Sequence, residues 1–354
     1  GPVANLPRLD YSGGATCPSL LLEPQRTNSV RFSEQMDNAA WGKQPSVSIS
    51  ANQSVSPDGN TNADHITWST SGLSTQLYQV NSTSGTSQVL SLFIKYISGS
   101  GTGFRLSVGS AVNFGLNLEF SNGGTTLTGT KGTNVSSYKI EDYGNNWFRV
   151  SLVPLYAGST TEYNLFRYSG TGTDVYAIWG AQLESASATY ATSYIPTLSA
   201  AVTRGADASY KTGISSLFGS AFTIFIDVLK LEDNGPTRYL VVKGSGGTYE
   251  NWIAFEKVSE GVSLIITDGS GNNQVYINKP NIAVGQRLKI AARCQNGSYA
   301  FYINGEQIGI SSAAFTPSVS IFDLHYYDYL GNQKYNQAMI LQPLTNAQLA
   351  ELTT

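Results

Sequence analysis

The sequence predicts an all-β protein, two tandem antiparallel β-sandwiches followed by one short C-terminal helix. Three observations carry this. Charged residues make up only 13% of the chain, about half the ~25% usual in soluble domains. Gly (36 residues) and Tyr (21 residues) are abundant, which suits short strands and tight turns better than helices. Short apolar runs alternate with Gly/Ser/Thr/Asn clusters along most of the chain. A length of 354 residues fits two domains of roughly 150 residues, each able to bury a core without staples.

The first section, residues 1–37, reads as an irregular segment packing on the first sandwich. Pro7, Gly13-Gly14, Pro18 and Pro24 leave room for one buried strand at Leu20-Leu21-Leu22. Residues 38–198 form the first sandwich. Its strands are His65 to Trp68, Gln88 to Ile97, Phe104 to Val108, Phe114 to Phe120, Trp147 to Tyr156, Tyr163 to Tyr168 and Val175 to Leu183. Many short strands at this spacing, over this length, favour a jelly roll. In the Phe104 and Phe114 runs the apolar residues all face one way, and Arg105, Asn117 and Glu119 face the other.

Residues 199–354 form the second sandwich, entered through a small-residue connector from Leu198 to Ala206. Its strands run from Phe222 to Leu231, Tyr239 to Lys243, Trp252 to Val258, Ser263 to Thr267, Gln274 to Asn278, Arg287 to Arg293 and Tyr299 to Ile303. Asp268-Gly269, Asn296-Gly297 and Asn304-Gly305 are hairpin-turn signals. Thr345 with Gln348 is a capping box, and Leu349 with Leu352 gives helical spacing.

Several functions are disfavoured. The net charge of −3 offers no footprint for nucleic acid. No apolar run approaches the ~18 residues of a membrane span, and no signal peptide leads the chain. The opening Gly1-Pro2 matches a protease-cleavage remnant, so a natural start further upstream is expected. Cys17 and Cys294 are read as free thiols in different domains. The histidines are His65 and His325, and neither lies in a zinc spacing or beside a Gly-x-Ser-x-Gly elbow. No phosphate-binding loop or dinucleotide fingerprint occurs. The chain is therefore expected not to be an enzyme. Glycoside hydrolysis is the enzymatic alternative, since two carboxylates suffice. Glu250, Glu256, Glu260 and Glu306 lie scattered by turns, and Asp323 and Asp328 lie in an aromatic-rich strand.

Two resemblances sharpen this reading. Pro7-Arg-Leu-Asp-Tyr11 and Leu20-Leu-Leu-Glu-Pro-Gln-Arg-Thr-Asn28 resemble the head of a group of phage tail and virion structural proteins. Ala39-Ala40-Trp41, Ser56-Pro-Asp-Gly59, Asn145-Asn-Trp-Phe-Arg-Val150, Trp179-Gly-Ala-Gln-Leu-Glu184 and Ala191-Thr-Ser-Tyr-Ile-Pro196 follow in that group's order. There the head precedes a jelly roll similar to carbohydrate-binding modules. The second half resembles concanavalin A-like, laminin-G-type sandwiches through Phe222-Thr-Ile224, Arg287-Leu-Lys-Ile-Ala291, Tyr299-Ala-Phe-Tyr-Ile-Asn-Gly-Glu306 and the stretch from Pro343 to Leu352. That fold hosts binders and glycan-cleaving enzymes alike. Its laminarinase-like members carry a Glu-x-Asp-x-x-Glu run that is missing here.

The resemblance implies a virion location, contacts with other virion proteins, assembly as a homotrimer, and an adhesin role toward surface polysaccharide. Sugar binding asks for aromatic faces flanked by planar polar groups. The expected site residues are Trp68, Tyr78, Arg105, Asn117, Glu119 and Arg167. Jelly-roll binding modules also hold a structural Ca²⁺, for which Asp37, Asp58, Asp64 and Glu184 would supply oxygen ligands. The alternative functions are a decoration protein mediating protein–protein contacts and a polysaccharide-degrading enzyme.

Overall fold

The computed structural model describes residues 8–11, 17–69, 75–82, 87–109, 112–156, 160–170, 172–185, 190–230, 238–246, 249–258, 261–283, 285–324 and 333–354. His325, Asp328 and Glu260 lie outside them. The chain divides into two compact units, Gln25–Arg204 and Gly1–Pro24 with Gly205–Thr354. Each is a two-sheet antiparallel sandwich.

In the first unit, one six-stranded sheet runs in the order Thr126–Lys131, Gly115–Ser121, Phe104–Val108, Thr160–Arg167, Gln76–Ser82 and Gly42–Lys43. The opposing sheet centres on Val89–Ser98 and Asp174–Glu184, flanked by Val135–Asp142, Phe148–Pro154, Val47–Val55, Thr61–Trp68, Arg26–Asn28 and Val202–Arg204. Alternation sorts the strands as expected. Leu106, Leu116, Leu118, Tyr163 and Leu165 meet Leu90, Leu92, Ile94, Val150 and Ile178 in one buried core.

The Gln76–Ser82 strand is not evident in the sequence because its inward positions include the polar Gln79 and Asn81. Gln79 solves its burial by bonding the backbone of Arg31 at both ends, accepting from N (2.7 Å) and donating to O (2.9 Å). The side chain thereby supplies a rung that a neighbouring strand would otherwise provide.

The second unit pairs a seven-stranded sheet with a six-stranded one. The seven-stranded sheet contains Ala221–Lys230, Arg287–Gln295, Tyr299–Ile303, Glu306–Ser311 and Gln333–Leu341. Asn304-Gly305 closes a hairpin with both residues at positive φ (48° and 81°), as a type I′ turn requires. The capping box at Thr345 and Gln348 is present, and it starts the Asn346–Leu352 helix. Leu349 of that helix packs on Phe225, Ala291, Ala300 and Tyr302, which point away from the main core.

The head of the chain departs from expectation. Leu9–Asp10 and Ser19–Leu22 extend the seven-stranded sheet, with Leu20 opposite Tyr335 and Leu22 opposite Gln333. Residues 1–24 therefore belong to the second unit, whereas residues 25–37 belong to the first, where Val30 and Met36 enter the core. Leu22 enters the second core, while Arg8 pairs with both Glu23 (2.8 Å) and Asp207. Burial of the leucine and the ion cluster outweigh sequence proximity. The unit boundaries accordingly fall at 24/25 and 204/205. Exposed Cys17 and buried Cys294 are both free, and both lie in the second unit, not in different ones.

Candidate glycan-binding face

The first sandwich has two outer faces, and they differ in kind. On the larger sheet, Phe93, Trp179, Trp147 and Ala177 cluster outside the core, with Tyr194, a few residues ahead of the connector, laid against them. Tyr194 and Trp179 rings lie 4.6 Å apart, and Phe93 meets Trp179 at 5.3 Å. Arg149 donates to Thr192 O (2.6 Å), fastening the same segment. This face is closed by aromatic packing.

The outer face of the six-stranded sheet is polar. The strand register sets Asn117, Arg105, Phe166 and Gln76 in one row, and Gly115, Ser107, Asn164, Tyr78 and Gly42 in the next. Gly115 has a specific task here: a Cβ would strike the Arg105 stem. Without one, Arg105 lies flat across the neighbouring strand. Its Nε donates to Asn117 Oδ1 (2.6 Å), and its guanidinium sits 4.9 Å from the centre of the Tyr168 ring. Tyr168 OH donates to Glu119 Oε1 (2.9 Å), and burial together with that carboxylate pushes its phenol up to about 12. Arg105, Asn117, Tyr168 and Glu119 thus form one held chain.

Two acceptors on this face have no partner. Asn164 is fully buried and its Nδ2 donates to Glu162, yet Oδ1 is unpaired. Gln76 Oε1 is unpaired as well. An orphaned buried acceptor costs about 1–3 kcal/mol, and both atoms are sealed from solvent, so a ligand donor reaches them only when the groups covering them move aside.

Tyr78 lies over Gly42, whose missing Cβ makes room for the ring. Gly42→Ala is expected to push the ring off the sheet while leaving the midpoint of thermal unfolding within a few degrees of wild type. Tyrosine-ring NMR shifts that stay unchanged would contradict the assignment.

The structure brings Arg105, Asn117, Glu119 and Tyr78 to one face, but not the other two expected residues. Trp68 is wholly buried, its ring 4.8 Å from Phe104 and 5.9 Å from Tyr176. It shares parity with Ile66, a core residue. Arg167 likewise shares parity with Tyr163 and Leu165, so it points inward. It is 0% exposed, contacts Asp174 Oδ2 at 2.5 Å, and donates to Ser169 O, Trp68 O and Gly172 O. Both residues are structural. Asn164, Phe166 and Tyr168 were the residues missed, although the period of two on the same strand places all three outward.

The four expected calcium ligands do not converge, and the described residues hold no cluster of three or more metal-ligating side chains. Asp58 caps its own turn, accepting from Ser56 OH and Asn60 N (2.9 Å). Glu184 is buried against Thr192, accepting from its N (2.9 Å) and hydroxyl, and desolvation raises its carboxyl above the ordinary value. Asp64 accepts from Met36 N (2.8 Å) and Asn52 N (3.0 Å), and burial likewise raises its carboxyl. Asp37 and Asp64 both act on the Lys43 ammonium. That ammonium donates to Asp37 O (3.0 Å), Asn38 O (3.0 Å) and Trp41 O (3.2 Å).

A protein cation thus engages the carbonyl oxygens of this loop. Lys43→Met is expected to lower stability by about 1 kcal/mol, and EDTA is expected to leave the wild-type melting curve unmoved. A chelator-dependent fall in the wild-type midpoint would contradict this.

His65 is half-buried, and its Nε2 lies 2.8 Å from Ser54 Oγ. Glu256 bonds Arg238, and Glu306 pairs with Lys279.

No protein-family model matches the chain, and no curated protein matches it. Solved structures give distant likenesses. The CBM40 module of Ruminococcus gnavus IT-sialidase, bound to α2,3-sialyllactose, is 18% identical with a TM-score of 0.33, covering 38% of this chain and 83% of the module. Sheep galectin-11 in complex with glycerol is 15% identical with a TM-score of 0.28, covering 38% of this chain and 98% of its own. NanB sialidase of Streptococcus pneumoniae is 14% identical with a TM-score of 0.33, and the match spans 40% of this chain but only 26% of that enzyme. Likeness at this level assigns neither a ligand nor a site.

Proposed function

We propose that this chain is a non-catalytic glycan-binding component of a virion tail or fibre, and that it binds surface polysaccharide on the outer face of the six-stranded sheet of its first sandwich. The observation that carries the binding reading is the pair of unpartnered acceptors, Asn164 Oδ1 and Gln76 Oε1. They share a face with Tyr78, Tyr168 and the guanidinium of Arg105. Sugar hydroxyls donate to amide oxygens and accept from guanidinium N–H groups, and C–H-rich ring faces lie against aromatic rings. Single sites of this kind are weak, and many copies on one particle supply the strength.

The virion part of the proposal is supported by the ordered motifs between Pro7 and Asp207. Immunogold labelling of purified phage particles with antibody to this chain tests it. Label on the tail is expected, and particles without label would overturn it.

A second reading, a contact surface for neighbouring virion proteins, draws on a cleft of about 410 Å³ in the first unit between Glu34, Gln35 and the connector. The exposed Leu198 and Val202 line it. Multimeric assembly that Leu198→Ser abolishes, without any glycan response, would favour that reading.

A further inference from the structure

The second sandwich carries its own aromatic platform. Tyr249 is 45% exposed, yet its ring is stacked on Trp252, centroids 4.9 Å apart and planes at 24°. Trp252 is almost fully buried and lies on the outer side of the six-stranded sheet with Val241 and Ala254, separate from the main core. Arg238 lies against both rings, 4.9 Å from the Trp252 centroid and 5.5 Å from that of Tyr249. Its Nη2 donates to Tyr249 OH (3.0 Å) and its Nε to Glu256 Oε2 (3.2 Å). One face of the tyrosine is thus fastened, and its exposure belongs to the rest of the ring.

The backbone at Tyr249 is left-handed, with φ of 67°. A bulky residue rarely adopts that conformation, and it persists only where the surroundings impose it. Here Thr267 OH donates to Tyr249 O, and the neighbouring Asn251 N donates to Asp268 O (2.8 Å). A strained, pre-positioned aromatic ring with its outer side open is poor economy for packing and well suited to stacking on a ligand.

The same sheet face continues to a second ring. Ala254 pairs with Ile265 and Ile265 with Tyr276, which alternates with the core residues Val275 and Ile277 and is 52% exposed. Tyr276 therefore stands two strand spacings from Ala254, about 10 Å across the sheet. Ser263 and Asn278, bonded to each other at 2.9 Å, form the next row beside Tyr276. Glu256, which neutralises Arg238, faces Ser263 across the pair.

We propose that this face of the second sandwich is a separate binding site for a neutral saccharide, with one ring on Tyr249 and a further unit toward Tyr276. The neutral class follows from the charge balance of the group that touches both rings, Arg238 being paired with Glu256. The site is independent of the first sandwich and makes a single chain bivalent.

Affinity electrophoresis of the full chain in native gels containing dextran, galactomannan or mannan tests it. The Arg105→Met background removes the guanidinium of the first face and weakens it, so the retardation that remains reports the second. In that background Tyr249→Ala and Tyr276→Ser are each expected to weaken retardation about tenfold in the gel that retards their parent. Tyr276→Ser keeps the test interpretable should Tyr249→Ala perturb folding. Unretarded Arg105→Met protein in all three gels, or retardation equal to the parent's in both tyrosine variants, would overturn the proposal. A retarded wild type with an unretarded Arg105→Met variant would assign binding to the first face alone.

Discussion

Asp174→Asn is expected to destabilise the first sandwich by about 3–5 kcal/mol. The substitution keeps the shape and removes only the charge opposite Arg167. Both side chains are sealed from solvent, at 0% and 1% exposure, with Nη2 and Oδ2 2.5 Å apart. Asp174 Oδ1 also accepts from Ser100 N and from Ser100 Oγ (2.9 Å). An uncompensated guanidinium would then sit between the sheets, beside Trp68. Against a domain stability of ~5–15 kcal/mol, this loss leaves little or nothing.

Urea unfolding followed by tryptophan fluorescence measures it directly, because Trp41, Trp68, Trp147 and Trp179 lie in the first unit and only Trp252 in the second. A midpoint close to wild type would mean that Arg167 is not sealed, and would return it to the list of ligand-facing residues.

Asn164→Leu is expected to separate stability from binding. In the free protein the leucine removes an orphaned buried acceptor worth about 1–3 kcal/mol and gives up one bond to the Glu162 carboxylate, worth about 1.5–3 kcal/mol. The two nearly cancel, so the variant should melt close to wild type. Its affinity for a bound polysaccharide should nevertheless fall roughly tenfold or more, because a sugar hydroxyl would lose its acceptor in a water-poor site. A residue with a purely structural role would move both quantities in the same direction. Titration calorimetry alongside thermal unfolding distinguishes the two, and a parallel loss of both would contradict the assignment.

Much of the fold was legible because period-two alternation is strong where a strand separates core from solvent. The Phe104–Val108 and Gly115–Ser121 sequences alternate plainly, which places Arg105, Asn117 and Glu119 on the outer face, although Arg105 and Ser107 are themselves buried. The same rule, applied to Tyr163-x-Leu165-x-Arg167, turns Arg167 inward and Asn164 outward. Parity alone decides both placements.

The Gln76–Ser82 strand was hidden for a different reason, since side-chain to backbone bonding let Gln79 occupy a core-facing position. Partner choice was hidden as well. Nothing local tells Ser19–Leu22 that its neighbour will be Gln333–Leu341, more than 300 residues away, and that pairing rests on which hydrophobic core has room for Leu22. The aromatic platform at Tyr249 depends on a left-handed backbone and a buried Arg238, neither of which has a periodic signature.

The measurement that tests the central claim most directly is a polysaccharide and oligosaccharide array probed with wild-type protein, Asn164→Leu and Arg105→Met side by side. Saturable wild-type binding to one polysaccharide class, with both variants folded and about tenfold or more weaker on those same spots, is the expected result. A blank array with folded wild-type protein, or binding that both variants retain in full, would contradict a glycan site on this face.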